Sequence, residues 1–173
     1  MNKYNIIYAD PPWPYKNKRT GGSMSSGASD KYSIMILKDI IDLPVQSLTG
    51  RDAVLFLWST VPFLHEAFHV MEAWGYTYKT TIFWRKIMSL GMGFWFRGQV
   101  EVCLFGIKGK VPAFRCQQAN FMQVKALKHS QKPEEMYRLI ESVTEEPRME
   151  LFARKRRPGW DAWGNEIESD IEL

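Results

Sequence analysis

Short apolar runs alternate with amphipathic stretches along this chain, and the two patterns predict different elements. Apolar or alternating runs predict strands at residues 5–9, 53–58, 76–85, 99–107 and 148–153. Apolar residues spaced three and four apart predict helices over residues 32–41, from Pro62 to Gly75, and from Pro133 onward. Residues 108–131 look irregular. This alternation is typical of an α/β fold with a doubly wound, mostly parallel sheet.

Two polar, glycine-containing stretches interrupt the pattern. Residues 14–31 lack apolar periodicity, and residues 88–98 interleave glycines with aromatic residues and Arg97. We predict flexible loops at both places, and the first is long enough to act as a lid. The chain shows no internal repeat and no linker, so a single domain over residues 1–173 is expected, with an acidic C-terminal tail at residues 166–173.

Composition narrows the class of protein. The chain is 45% hydrophobic and 24% charged, without a run of ~20 apolar residues or a signal-peptide pattern, which predicts a globular cytoplasmic protein without a membrane anchor. Cys103 and Cys116 suggest neither a disulfide framework nor a zinc site. His65 and His69 have a helical spacing that can bind a metal, but without a third ligand we interpret them as surface residues and expect no metal.

The charge distribution favours a polyanionic partner. The net charge is +4 at pH 7, and basic residues are concentrated just after residue 13 and again at residues 154–157. The alternative for each cluster is an ordinary solvated face. The candidate nucleic-acid contacts in and beside these stretches are Lys16, Lys18, Arg19, Lys155, Arg156 and Arg157. The loop before residue 99 adds Trp95 and Arg97, which could stack on bases and contact phosphates. The alternative for this loop is a hydrophobic flap over the core.

One tetrad, Asp10-Pro11-Pro12-Trp13, stands directly after the first predicted strand. The prolines cannot continue a strand, so the Asp10 carboxylate is delivered at the carboxyl edge of the sheet, where ligands bind in open α/β folds. A carboxylate, the carbonyl of Pro11 or Pro12 and an aromatic face can hold a planar heterocycle by its exocyclic amine. The plainer interpretation is a turn with a capping aspartate and a core tryptophan.

Glu101 is a second unusual carboxylate, because it lies inside an apolar predicted strand. Burial of a charge is costly unless it is hydrogen-bonded, so Glu101 belongs either to a site or to a pair in the core. We include it among the candidate residues near the nucleic acid.

Four segments, taken in order, resemble the MT-A70 family of adenine methyltransferases. They are YADPPW at residues 8–13, LFLW at residues 55–58, GFWFRGQVEVCLFGIKG at residues 93–109, and KPEEMY from residue 132 followed by ELFAR and WGNE. The resemblance implies a Rossmann-like methyltransferase domain that uses S-adenosyl-L-methionine and methylates the N6 amine of adenine in nucleic acid.

The resemblance also implies roles for individual residues. Asp10 would bind the target amine and approach the cofactor, and Tyr32 would close over the target. Lys132 would lie near the cofactor or a target phosphate. The remaining members of the implied target pocket are Pro11, Pro12 and Trp13, and those of the implied cofactor site are Arg154, Asn165 and Glu166.

Three departures from the family pattern stand out. Gly98 follows Arg97 where relatives often have asparagine, Ala153 replaces a glycine, and the chain begins just before the first strand, so an upstream cofactor-binding segment is expected to be missing. The compact chain favours DNA over RNA as the substrate, and a homodimer is expected. An RNA adenine methyltransferase and a catalytically inactive, nucleic-acid-binding partner of an active homologue are the alternatives.

Overall fold

The computed structural model describes residues 4–14, 35–87, 95–114, 116, 118–125 and 131–173. The seven strands are β1 (Tyr4–Ala9), β2 (Thr49–Thr60), β3 (Thr77–Ile87), β4 (Val100–Lys108), β5 (Phe121–Lys125), β6 (Arg148–Leu151) and β7 (Asp161–Trp163). The helices are α1 (Leu37–Asp42), α2 (Val45–Leu48), α3 (Leu64–Ala73) and α4 (Glu134–Val143), and a 3-10 turn over Val61–Phe63 joins β2 to α3.

All seven strands form one sheet in the order β5-β3-β4-β2-β1-β6-β7. Strand β4 runs antiparallel to both of its neighbours, and the other pairs are parallel. The predicted α/β architecture with a mostly parallel sheet is confirmed. Because β4 is reversed, its amino end lies at the same edge as the carboxyl ends of the other strands.

The sheet is buried on both faces at its centre, as the continuous apolar runs of β1 and β2 predict. On the first face, Ile7 of β1 and Leu55 and Leu57 of β2 pack against α1, α2 and α3. On the second face, Tyr8 and Trp58 pack against α4 and Trp160. Asp10 continues the alternation of β1 and therefore points toward the second face.

Three details differ from the sequence predictions. The stretch 108–131 contains strand β5, whose five residues are too short and too weakly apolar to stand out, and residues 161–163 form the edge strand β7. The predicted helix at 32–41 is helical only from Leu37 within the described residues. The predicted loops at 14–31 and 88–98 lie largely outside the described residues.

The acidic C-terminal residues pack against β7. The Asp170 backbone N–H donates to the Ala162 carbonyl at 2.9 Å, and the Ala162 N–H donates to Asp170 Oδ2 at 2.9 Å. Asp170 also pairs with Arg156, and Ile171 contacts the hydrophobic core. Separately, the described residues include no helix that is long and apolar enough to span a membrane.

Candidate active site

The carboxyl end of β1 delivers Asp10 to the functional edge of the sheet. Glu101 reaches the same edge from β4, whose reversed direction places it opposite Trp84 of β3 and Thr60 of β2. Lys132 arrives from the second face, just before helix α4 begins at Glu134. Three segments that are far apart in the chain therefore bring two carboxylates and an ammonium group together.

These groups form a charge cluster of Asp10, Lys132, Glu101 and Lys86. Lys132 Nζ lies 2.6 Å from Asp10 Oδ2 and 3.4 Å from Glu101 Oε2. Lys86 of β3 pairs with the other oxygen of Glu101. Lys132 Nζ also lies 5.4 Å from the centre of the Trp58 ring, a favourable position for a cation. Two positive and two negative side chains leave the cluster without net charge.

Burial and pairing shift the pKa values in the charge cluster. Burial raises the pKa of Asp10, although Lys132 opposes the shift. Burial alone would lower the pKa of Lys132, but the carboxylates of Asp10 and Glu101 outweigh it, so the pKa is raised. Burial alone would raise the pKa of Glu101, whereas Lys132 and Lys86 together lower it. Lys132 therefore remains a cation. Of the two carboxylates, Asp10 has its pKa raised and Glu101 has its pKa lowered, so Asp10 is the one that binds a proton more readily.

The Pro-Pro turn is anchored from the first face. The Trp13 backbone N–H donates to the Pro11 carbonyl at 2.9 Å, and the Trp13 indole N–H donates to the Trp58 carbonyl at 3.1 Å. The ring of Trp13 is stacked on Phe63, with centroids 5.9 Å apart, and is only 6% exposed. Trp13 was expected to offer an open surface for stacking. Its ring is instead packed into the core, where it holds the turn in place.

A second wall of the site follows β6, the strand next to β1. Phe152 adopts a left-handed backbone conformation (φ 63°) directly after the strand, and its ring contacts Trp163 edge-on. Arg154 Nε lies 3.6 Å from Glu166 Oε1. Arg154 also acts electrostatically on Asp10, so this pair lies beside the charge cluster. A partly exposed carboxylate and a guanidinium suit the hydroxyls and ring nitrogens of a nucleoside.

Gly164 lets the two backbones of this wall approach each other. A Cβ at Gly164 would lie 2.8 Å from the Ala153 nitrogen and would overlap the Ala153 carbonyl oxygen. The Ala153 N–H meanwhile donates to the Trp163 carbonyl at 2.9 Å. The residues present thus fit a nucleoside-containing cofactor held between Asp10 on one side and the Arg154–Glu166 pair on the other.

Substitution Gly164→Ala should destabilise the protein, because backbone atoms cannot yield as a flexible side chain can. We expect the free energy of unfolding to fall by about 3 kcal/mol, in the range of overpacked positions. Urea denaturation measures this change. Gly98→Ala is the matched control, since a Cβ there meets nothing within 4 Å, and it should unfold like the wild type. Equal stability of the two variants would contradict the close approach.

Glu150 is a buried carboxylate just behind the cluster. It is 9% exposed and accepts a hydrogen bond from the Tyr137 hydroxyl at 2.7 Å. Burial raises the pKa of Glu150 to about 7, and the charge of Asp10 adds to the shift, while the Tyr137 hydrogen bond opposes it. The folded protein binds this proton more tightly than the unfolded chain. Glu150 therefore lowers stability as the pH rises toward 7.

Substitution Glu150→Gln should stabilise the protein in alkaline solution. Glutamine still accepts the Tyr137 hydrogen bond but carries no charge to bury, so we expect a gain of about 2 kcal/mol at pH 8. The gain should shrink toward zero at pH 5, where the native glutamic acid is already protonated. Urea denaturation at both pH values measures it. The exposed control Glu146→Gln should show no such pH dependence, and a loss of stability in Glu150→Gln at pH 8 would contradict the assignment.

The predicted nucleic-acid contacts are distributed unevenly. Trp95 is 93% exposed, and Lys155 is exposed after β6. Arg156 pairs with Asp170. Arg157 binds Glu134 at 2.7 Å and Glu141 at 2.6 Å, and it covers the ring of Tyr137. These contacts hold α4 against the loop after β6, so Arg157 packs the fold and its guanidinium is already engaged by two carboxylates.

Of the other predicted residues, only Glu101 is part of the charge cluster among the described residues. It pairs there with two lysines, and an acidic group paired in this way is not a phosphate ligand. Asn165 is exposed next to Glu166. Arg97 follows the exposed Trp95 and Phe96, before β4. The predicted residues outside the described part of the chain are Lys16, Lys18, Arg19 and Tyr32. Within the described residues, no group of three or more acidic, histidine or cysteine side chains could hold a metal.

Sequence reasoning missed three contributors to the site. Lys86 neutralises Glu101, Trp58 lies under Lys132, and Phe63 supports Trp13. Lys86 and Trp58 had a visible signal, since Lys86 directly follows one predicted strand and Trp58 ends another. Phe63 acts through a contact that only the folded chain defines.

The chain matches the MT-A70 family over residues 4–166. It is 36% identical to the type II methyltransferase M.MunI of Mycoplasma sp., in an alignment that covers 99% of this chain and 81% of that protein. It is 28% identical to the N(6)-adenosine-methyltransferase subunit METTL3 of Danio rerio. The human catalytic subunit METTL3 is 27% identical. Each METTL3 alignment covers 97% of this chain but 29% of the relative.

The seven-stranded α/β sheet and the charged site at its carboxyl edge define a Rossmann-like methyltransferase domain. The extent of the match identifies the family: the chain belongs to the MT-A70 family of methyltransferases.

Proposed function

We propose that this protein transfers a methyl group from S-adenosyl-L-methionine to the N6 amine of adenine in nucleic acid, with DNA as the substrate. The observation that supports this most strongly is the charge cluster. A partly buried carboxylate, Asp10, is held at 2.6 Å by Lys132 at the carboxyl end of β1, directly before a rigid Pro-Pro turn. That arrangement offers adjacent hydrogen-bond acceptors to one small amine.

The cofactor is proposed to lie between Asp10 and the wall after β6. S-adenosyl-L-methionine supplies, when bound, a methyl group on a positively charged sulfur. Glu166 is proposed to accept hydrogen bonds from ribose hydroxyls, and Arg154 to hold Glu166 in position at 3.6 Å. The exposed amide of Asn165 is proposed to bind the adenine edge. Lys132 is suited to the carboxylate of the methionine part, since it is a permanent cation at the site.

The target amine is proposed to donate one hydrogen to Asp10 and the other to a carbonyl of the Pro-Pro turn. The Pro11 oxygen already accepts the Trp13 N–H, but a carbonyl has a second lone pair, and the Pro12 carbonyl is an alternative. Two such bonds hold the amine in a fixed orientation with its lone pair free for attack. Catalysis would then come mainly from orientation and from electrostatics.

Asp10 is also placed to take up a proton after transfer. The methylated amine is cationic and acidic, and the burial that raises the pKa of Asp10 makes this carboxylate a better acceptor than an exposed aspartate. Lys132, which also contacts Glu101, keeps Asp10 in place, and its positive charge lowers the pKa of Asp10 so that the proton is not held too strongly. An adenine in a duplex must leave the base stack to reach this buried edge.

One comparison supports DNA over RNA. The type II methyltransferase M.MunI has the higher sequence identity, 36% against 28%, and this chain covers 81% of it but less than a third of the METTL3 proteins.

The test is methyl transfer from labelled S-adenosyl-L-methionine to four substrates side by side: single-stranded and double-stranded DNA and single-stranded and double-stranded RNA. Binding of the cofactor is measured in parallel. We expect label in DNA. Label in RNA alone would mean that the protein is an RNA adenine methyltransferase. Cofactor binding without any label would indicate that a target sequence or a second subunit is missing. Absence of cofactor binding would contradict the proposal and favour an inactive binding partner.

A further inference from the structure

Within the described part of the chain, side chains on the first face of the sheet are exposed where β3 pairs with β5. Phe83 and Phe121 lie directly opposite each other across these parallel strands. Their side chains are 40% and 51% exposed, although helices α1 to α3 bury the same face over β1, β2 and β4. Ile87 lies on the same side of β3 and is also exposed. Two neighbouring aromatic rings therefore face solvent on a rigid sheet.

The charged side chains of β3 and β5 are all basic. Arg85 lies two residues after Phe83 on β3, and Lys125 lies four residues after Phe121 on β5, so both cations are on the same face as the rings. Neither strand contains an acidic residue. Arg85 Nη1 donates to the Gln123 side-chain oxygen, 3.2 Å away on the opposite strand, which holds the guanidinium along the sheet. Exposed aromatic rings with two cations further along the same strands can attract an anion that carries flat apolar groups.

We propose that this β3–β5 face, made of Phe83, Arg85, Phe121 and Lys125, binds the unpaired nucleotide strand that flanks the target adenine. Aromatic side chains stack on bases without regard to sequence, and the cations contact the phosphates between them. A protein partner with an apolar patch would leave both cations without a counter-charge, so the charge pattern favours a polyanion. The inference rests on the proposed function, because it treats this strand as part of the same substrate.

The distance from the face to the charge cluster suits a single strand. Strand β3 is three places from β1 in the sheet and β5 is four, which corresponds to about 14–19 Å at ~4.8 Å per strand. A single strand spans this distance with no more than about six nucleotides, at 3.4 Å or more per nucleotide. The cluster lies on the second face, so the strand would cross the edge of the sheet. The exposed rings of Trp95 and Phe96 lie in the connection between β3 and β4, at that edge.

The experiment measures fluorescence anisotropy of a labelled single-stranded DNA 12-mer, without cofactor. A second probe of equal length consists of abasic sites, so that it keeps the phosphates and lacks the bases. The variant Phe83→Leu/Phe121→Leu retains apolar side chains but loses both aromatic rings. We expect its affinity for the 12-mer to fall by about tenfold or more and its affinity for the abasic strand to be unchanged. The control Phe83→Tyr/Phe121→Tyr keeps both rings and should bind the 12-mer as the wild type does.

The cations are tested separately. Arg85→Gln/Lys125→Gln should weaken binding of both probes and should reduce the slope of log affinity against log salt by about 1.4, or 0.7 per lost phosphate contact. Urea denaturation of every variant checks that the fold is retained. Unchanged affinity of the leucine variant for the 12-mer would overturn the proposal. A second result would also overturn the proposal: light scattering that shows the protein dimerising through this face, with the affinity for the 12-mer falling as the dimer forms.

The two proposals fail in different ways. Binding is measured here without methyl transfer, so an inactive protein that still loses 12-mer affinity in the leucine variant supports the β3–β5 face while refuting the enzyme. An active enzyme whose leucine variant binds normally refutes the face and leaves the methyltransferase assignment intact.

Discussion

Asp10→Ala is expected to reduce methyl transfer by roughly 1,000-fold while the protein stays folded. The substitution removes the acceptor that orients the target amine and the group that receives its proton, and the two effects combine. The fold should survive because Lys132 keeps Glu101 as a partner at 3.4 Å. Initial rates with saturating labelled S-adenosyl-L-methionine and urea denaturation measure the two properties.

Two further variants sharpen this prediction. Asp10→Asn keeps an oxygen that can accept a hydrogen bond but loses the charge, so its rate should lie between those of the wild type and Asp10→Ala. Asp39→Ala removes an exposed aspartate of α1 and should leave the rate unchanged. A rate of Asp10→Ala near that of the wild type would show that the tetrad is only a structural turn.

Lys132→Gln is expected to lower both turnover and stability. Without the ammonium group, the partly buried carboxylates of Asp10 and Glu101 face each other without a cation between them, and removal of one partner from such a pair costs about 3 kcal/mol. The matched control is Lys38→Gln, which breaks an exposed lysine–aspartate pair on α1 and should cost little.

The loss in Lys132→Gln should depend on pH in a defined direction. Without the cation, the folded-state pKa of Asp10 rises further, and the folded protein then binds a proton that the unfolded chain has released. Stability of the variant relative to the wild type should therefore fall as the pH rises from 5 to 8. The double variant Lys132→Gln/Glu101→Gln should recover much of the stability but not the turnover. A pH-independent loss would mean that packing, rather than charge, is responsible.

The sequence predicted the site best where short-range rules apply. An apolar run followed by two prolines places Asp10 at the end of a strand, and a proline at the start of a helix places Lys132 beside its first turn. These rules predicted the α/β class and the edge at which the site lies. The contact between Asp10 and Lys132 then follows from the arrangement of the parallel strands and α4.

Features that depend on long-range pairing could not be predicted. The reversed direction of β4 brings Glu101 to Lys86, and no local pattern in β4 shows which way the strand runs. Trp13 looked like an open stacking surface because its partner Phe63 lies fifty residues further along the chain. Strand β5 was missed because its five residues form a strand only by pairing with β3.

Asp10 is proposed to hold the N6 amine of adenine for direct transfer. Mass spectrometry of nucleosides from a DNA substrate, digested after reaction with wild type and with Asp10→Ala, tests this role directly. We expect N6-methyl-2′-deoxyadenosine from the wild type and almost none from the variant. A methylated cytosine, or methylated adenine in equal amounts from both proteins, would contradict it.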